Sequence, residues 1–294
     1  MERRNFLKVL ATGASSLALE GTVNPKSLHA QGTGEKDEKE FLGVLVDTTR
    51  CIGCRQCEAA CAEVNDLPAP DLNDEHIFDI KRVTSETQYT TVNRYQNKRG
   101  DIYVKTQCMH CNQPGCASAC LVSAMEKTKE GPVIWKTNCM GCRYCMIACP
   151  FDIPKFEYDK PVPKIQKCTF CWENALKIGD MPACVKACPS EALIFGTRRE
   201  LIEEANKRIY EHPDAYYHHI YGEHEVGGTS WLYLSAVPFE EIGFRNDLGT
   251  TPYPKLTKGF LTNIAVIDLV VPALLLGISY VAKKKNNDTA GEGE

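Results

Sequence analysis

Sixteen cysteines are the residues of this 294-residue chain whose type and spacing could do chemistry, and they fall in four groups of four with none left over. In order they read Cys51-x2-Cys54-x2-Cys57-x3-Cys61, Cys108-x2-Cys111-x4-Cys116-x3-Cys120, Cys139-x2-Cys142-x2-Cys145-x3-Cys149-Pro150 and Cys168-x2-Cys171-x12-Cys184-x3-Cys188-Pro189. A disulfide scaffold is disfavoured, because three thiols within seven residues, repeated, cannot readily pair with one another. Structural zinc sites usually come as two separated C-x2-C knuckles, whereas the first and third groups are the C-x2-C-x2-C-x3-C run of [4Fe-4S] ferredoxins. The spacing therefore predicts iron–sulfur ligation. No Cys-x-x-Cys-His occurs, so covalent haem is not expected.

The groups also repeat. Groups one and three are compact and carry Gly53-Cys54-Arg55 and Gly141-Cys142-Arg143; groups two and four are longer and are followed by Ala124-Met125 and Ala192-Leu193. One long plus one compact group makes a unit, so groups two and three form one and groups four and one the other. In ferredoxin-like units the fourth cysteine of one group ligates the cluster held by its neighbour. The expected sets are Cys51, Cys54, Cys57 with Cys188; Cys168, Cys171, Cys184 with Cys61; Cys108, Cys111, Cys116 with Cys149; and Cys139, Cys142, Cys145 with Cys120. Four [4Fe-4S] clusters follow. Leu121 and Ala62 stand where the ferredoxin pattern has proline, which redirects the chain without taking part in ligation.

Among the polar neighbours, Arg55, Arg143 and Lys167 could raise cluster potentials by bringing positive charge to the sulfurs, and Lys155 could sit between clusters; solvated ion pairs are the alternative. His218, His219 and His224 lack ligand spacing and are expected to pack at a surface or interface.

The elements that position these loops are small. Short runs before each group (Leu45-Val46-Asp47, Tyr103-Val104-Lys105, Ile134-Trp135-Lys136, Pro163-Lys164-Ile165) read as strand ends, and the x3-Cys ends as the starts of short helices. Val83 to Lys105 alternates as a hairpin inserted on the first unit, and Arg198 to Ile209 reads as a helix with Leu201, Ile202, Ala205 and Ile209 on one face. The class is α+β: two ferredoxin-like units, residues 108–149 and residues 51–61 plus 168–188, within a domain over 41–250. Apolar burial is thin, so the clusters should act as staples.

Both ends carry addresses. Glu2-Arg3-Arg4-Asn5-Phe6-Leu7-Lys8, an apolar run to Leu19 and Ser27-Leu28-His29-Ala30 resemble a twin-arginine (Tat) export signal over 1–30, with a flexible linker over 31–40. Residues 260–282 are apolar enough to cross a bilayer as one helix, and Lys283-Lys284-Lys285 directly after them puts the tail, 283–294 and expected to be disordered, in the cytoplasm. Pro272 offers no N–H to the carbonyl of Asp268, which makes a polar notch expected to face protein; a contact near a quinone or proton route and a neutral, locally bonded aspartate are both open readings.

Composition narrows the rest. With 38 Asp and Glu against 34 Lys and Arg, a net charge of -4 and no longer basic block than Lys283 to Lys285, nucleic acid is not an expected partner. At 24% charged residues the chain is not polytopic. No phosphate loop, nucleophile with its base or paired-carboxylate site occurs, so no substrate chemistry is expected.

The order of the four groups, Cys168-Thr169-Phe170-Cys171, and Tyr221-Gly222-Glu223-His224-Glu225-Val226-Gly227-Gly228-Thr229 ahead of Leu232-Tyr233-Leu234 resemble the four-cluster iron–sulfur subunits of bacterial membrane oxidoreductases. A Tat signal together with a C-terminal membrane helix is similar to the HybA type found with periplasmic nickel–iron hydrogenases. The resemblance implies an electron wire between the small and large catalytic subunits of a hydrogenase and an integral membrane, quinone-reacting (NrfD/HybB-like) subunit. It implies a place on the periplasmic face of the cytoplasmic membrane. The equivalent subunit of a molybdopterin oxidoreductase of formate, polysulfide, tetrathionate or dimethyl sulfoxide type is the runner-up. A non-redox adaptor holding zinc or disulfides is the rival from another class.

Overall fold

The computed structural model describes residues 40–290. They divide at residue 258 into a cysteine-bearing body and the outer part of a long helix. Residues 1–30, expected to be a Tat signal, and 31–39 of the expected linker lie outside the described residues; Glu40, the last residue of that expected linker, accepts from the Arg199 amide at 2.8 Å.

In chain order the body contains β1 (Leu42–Asp47), α1 (Gln56–Val64), β2 (Thr91–Asn97), β3 (Gly100–Thr106), α2 (Gly115–Ser118), β4 (Met125–Lys127), β5 (Val133–Trp135) and α3 (Tyr144–Ile147). It continues with β6 (Lys155–Phe156), β7 (Ile165–Gln166), α4 (Ala183–Lys186), β8 (Leu193–Thr197), α5 (Arg198–Glu211) and β9 (Trp231–Leu234). The sheet order is β8-β1-β9, with β8 antiparallel and β9 parallel to β1; the other strands form three separate hairpins, β2-β3, β4-β5 and β6-β7.

Strand alternation sorts the core of that sheet. Leu45, Leu232 and Leu234 point to one face, where Leu201 and Ala205 of α5 cover them. Val44, Val46, Trp231 and Tyr233 point to the other, toward the cysteine loops. Helix α5 starts at a capping box, with Thr197 and Glu200 satisfying each other's backbone amides, and runs to Glu211 before His212-Pro213 stops it. Its Arg208 and Tyr216 beyond it both reach the fully buried Asp47 carboxylate at 2.8 Å, tying helix to sheet end.

The inserted hairpin is shorter than its expected span. Residues 83–90 are not strand, because Asn93 of β2 holds the backbone of Arg82 through bonds of 2.8 Å to its amide and its carbonyl. Such a clamp fixes the segment beside the strand instead of in its ladder.

The long helix, α6 (Tyr253–Ala290), outruns the expected 260–282 at both ends. Pro254 is accommodated in its first turn, and nothing between Lys283 and Ala290 breaks a helix, so the tail expected to be disordered from residue 283 is helical through Ala290. Pro272 lies within it. Residues Tyr253–Lys283 form a helix long and apolar enough to cross a membrane.

Candidate iron–sulfur sites

The Gly-Cys-Arg signature is a backbone requirement. Gly53 and Gly141 sit at φ +71° and +74°, and Arg55 and Arg143 at +60° and +61°, so both compact loops make the same left-handed turns into α1 and α3. A Cβ at Gly53 would lie 2.4 Å from the Tyr103 ring, which leaves only glycine there. In the longer groups, Pro114 and Pro182 stand immediately before α2 and α4, and His110 and Phe170 occupy one and the same loop position at φ +47° and +57°.

Helices α2, α3 and α4 begin one residue before the third cysteine and end before the fourth, so they precede the fourth cysteine instead of beginning there, whereas α1 runs through Cys61. After Cys120, Cys149 and Cys188 the chain makes one common turn: Ser123, Asp152 and Glu191 take φ of +52°, +50° and +51° and donate to those cysteines' carbonyls at 3.3 Å. Leu121 makes this turn without the proline found after Cys149 and Cys188. Group one departs from it, because α1 runs on through Ala62 to Val64.

Helix α1 packs on α4, and α2 on α3. The strand after a long group pairs antiparallel with the strand before a compact one in both places, β8 with β1 and β4 with β5. The bonds that close the ladders correspond: Asp47 donates to Ala192 at 2.8 Å and Lys136 to Ala124 at 2.7 Å. The buried alanines of the Ala-Leu and Ala-Met signatures are these acceptors.

All sixteen thiols are free. Burial pushes Cys51 up to about 11, and ionised Cys188 and Cys54 beside it add to the rise. Burial likewise takes Cys61 to about 12, with Cys184 and Cys171 as its thiol neighbours. Cys149 is raised by burial to about 11 with Cys108 beside it, and Cys145 to about 11 with Cys139, Cys120 and Cys142. Cys51, Cys54, Cys57 and Cys188 line one cavity together with Val46, Val92, Leu193 and Lys105. Across the sets, Cys184 lies near Cys57, Cys108 near Cys168, and Cys145 near Cys116.

The donor chemistry suits a thiolate-ligated cluster. Backbone amides donate to sulfur at Cys120 (from Ala124, 3.2 Å), Cys139 (from Gly141, 3.4 Å) and Cys168 (from Phe170, 3.4 Å), the kind of bond that orients a cluster's ligands. Among the described residues no three His, Cys, Asp or Glu side chains converge on a point that a single ion could occupy. Four thiols around a shared cavity fit a body wider than one ion.

The four cations expected near the sulfurs divide. Lys167 is buried, donates to the carbonyls of Val133 and Cys168, and favours the thiolate of Cys116. Arg55 is buried and lines the cavity of Cys51, Cys54, Cys57 and Cys188, with its guanidinium on Glu58 at 3.1 Å and the Asp71 carbonyl at 2.6 Å, while Arg82 also grips Glu58. Arg143 stacks over Phe156 and Tyr158, 5.6 and 5.7 Å from their centroids. The Lys155 ammonium bonds Asp152 at 2.9 Å, a partner supplied by the turn after Cys149.

Of the histidines, His218 bonds the Pro213 carbonyl at 3.0 Å, His219 bonds Glu225 at 2.7 Å, and His224 lies 3.6 Å from Glu223. Sequence reasoning missed three groups at the thiols, buried Lys105 and His110 and half-buried Lys127. Lys105 of β3 is near Cys57, Cys184 and Cys168; Lys127 of β4 is near Cys111 and Cys108, with its ammonium on the His110 carbonyl at 3.0 Å; His110 itself accepts the Val133 amide at 2.8 Å and stacks on Phe170. Burial, then Lys167 and Lys127, hold His110 well below the ordinary histidine value, and it is neutral. The only signal available in advance was a lysine on the inward face of a strand, and that needs the strand's facing to be known.

Turns, paired helices and a thiol-lined cavity of this kind define a ferredoxin-type iron–sulfur protein, and residues 101–198 match the 4Fe-4S dicluster domain family. A protein of Nitratidesulfovibrio vulgaris is 44% identical over 99% of this chain and 80% of its own length. The hydrogenase-2 operon protein HybA of Escherichia coli is 36% identical over 91% of this chain and 93% of its own. The nitrate-inducible formate dehydrogenase iron–sulfur subunit of Escherichia coli is 30% identical over 88% and 91%. The chain belongs to the family of iron–sulfur subunits that includes HybA and the formate dehydrogenase iron–sulfur subunits.

Proposed function

We propose that this chain is the electron-transfer subunit of a membrane-bound hydrogenase, carrying electrons through four [4Fe-4S] clusters. They run between a periplasmic nickel–iron catalytic heterodimer and an integral membrane quinone-reacting subunit. The observation that carries the reading is the full-length likeness to HybA, 93% of which is covered, in a chain with four complete thiol groups. The formate dehydrogenase relatives favour a second reading, the same role beside a molybdopterin enzyme.

The two-unit arrangement and the ligand exchange are supported by the paired helices and by the thiol neighbours described above. Those neighbours also support a linear order: the Cys51 set, then the Cys168, Cys108 and Cys139 sets. A [4Fe-4S] cluster supplies one-electron storage at its site. The chain supplies thiolates, amide donors to sulfur, buried cations and an apolar wall that excludes water. Among its residues, Phe170 joins the two middle sets, stacked on His110 on one side and edge-on to Trp231 on the other. Tat export as a folded, loaded protein and anchoring by residues within α6 complete the reading, since clusters assembled in the cytoplasm reach an oxidising space already ligated.

The complex should be purified anaerobically in detergent through a tag on this chain and analysed for iron, nickel, molybdenum and tungsten, with electron paramagnetic resonance of the dithionite-reduced protein. Four interacting [4Fe-4S] signals with nickel are expected. Molybdenum or tungsten without nickel would move the protein to the second reading, and a colourless preparation would overturn both.

A further inference from the structure

Lys105 carries a charge with no carboxylate to answer it. It lies on β3 with only 2% of its surface exposed, donates to Thr90 Oγ1 at 2.7 Å and Gln107 Oε1 at 2.9 Å, and sits 4.6 Å from the Trp231 ring centroid. Those partners are neutral, and among the described residues no Asp or Glu forms an ion pair with it. A buried ammonium is costly unless an anion lies within reach. Its side chain lines the cavity formed by Cys51, Cys54, Cys57 and Cys188. Toward the other set, the Trp231 ring beside it meets Phe170, which stands between Cys168 and Cys171, edge-on at 5.7 Å.

We propose that Lys105 is the shared counter-charge of two cluster sites, the Cys51–Cys54–Cys57–Cys188 set and the Cys168–Cys171–Cys184–Cys61 set, and that it raises the reduction potential of both. The inference rests on the cluster assignment under the proposed function. Each cluster gains one electron from a reduced donor and so becomes one unit more negative. A fixed positive charge in a dry interior stabilises that reduced form. The neighbouring group-two cysteines begin only three residues along the chain, at Cys108, but the folded hairpin turns this ammonium toward groups one and four.

The test is a redox titration of the intact complex, followed by electron paramagnetic resonance, in Lys105→Met, Lys105→Arg and Gln107→Glu. Gln107→Glu places a carboxylate against the ammonium and neutralises it without removing the side chain. With iron content unchanged, Lys105→Met and Gln107→Glu should each lower the same two of four midpoints, by at least tenfold in the reduction equilibrium, or about 59 mV for a one-electron couple. Lys105→Arg should leave all four in place. Unchanged midpoints in both neutralising variants would overturn the proposal, as would Lys105→Arg shifting like Lys105→Met, since shape and not charge would then be at work. If the neutralising variants fail to take up two clusters while Lys105→Arg takes up all, the counter-charge is required for the sites and the proposal stands; if Lys105→Arg fails with them, it falls. A wild-type complex without [4Fe-4S] signals would instead remove the reading on which it rests.

Discussion

The fourth cysteines of groups one and four, Cys61 and Cys188, lie within α1 and just beyond α4, two helices that pack on each other. Cys188 lies beside Cys51, and Cys61 beside Cys184 and Cys171, so each thiol reaches across the α1–α4 contact. A Ser in place of either leaves a neutral hydroxyl where the cluster needs a thiolate. Cys188→Ser should therefore abolish the same paramagnetic signal as Cys54→Ser, and Cys61→Ser the same one as Cys171→Ser. Matching losses between Cys188→Ser and Cys171→Ser would reverse the assignment.

Elements here are short because the loops, not the strands and helices, do the holding. A four-residue helix such as α2 or α3 has no independent stability, and its place is set by contact with its partner. That contact is close: a Cβ on Gly115, at the start of α2, would lie 2.7 Å from the Ala148 carbonyl just beyond α3. Gly115→Ala should push α2 from α3, destabilise the body by about 1–3 kcal/mol, and reduce iron uptake at the Cys108 and Cys139 sets. The α1–α4 pair, whose corresponding residue Ala183 already bears a Cβ, should keep its two clusters. Thermal unfolding and iron per chain, measured together, check this; equal losses at both pairs would show that the helix contact is not what matters.

On the scale of the molecule, one body carries the cysteines, and α6 carries a run of exposed apolar side chains, among them Phe260, Leu269, Leu276 and Tyr280. Exposed apolar surface of that extent is stable only where water is absent. A chain ending at Thr257 should leave the membrane fraction and survive as a brown soluble protein with its iron content intact. Retention of the shortened chain in membranes after an alkaline wash would show that α6 is not the anchor.

Ligand type and grouping were legible in the sequence because a cluster needs several thiolates within one short loop, so its signature is local spacing. Helix α5 was legible for a similar reason: Thr197, Glu200 and the apolar positions of one face lie within a few turns of each other. The Gly-Cys-Arg repeat was visible as a pattern, but its meaning, paired left-handed turns at Gly53, Arg55, Gly141 and Arg143, required backbone angles. What only the tertiary structure decided is which cations meet sulfur. Of the cations adjacent in sequence to the thiols, Arg55 lines the Cys51 cavity while bonding Glu58, Arg143 stacks on aromatic rings and Lys155 bonds Asp152, whereas Lys105 and Lys127 arrive on strands. Electrostatic effects depend on distance through a dry interior, and proximity along the chain does not determine that distance.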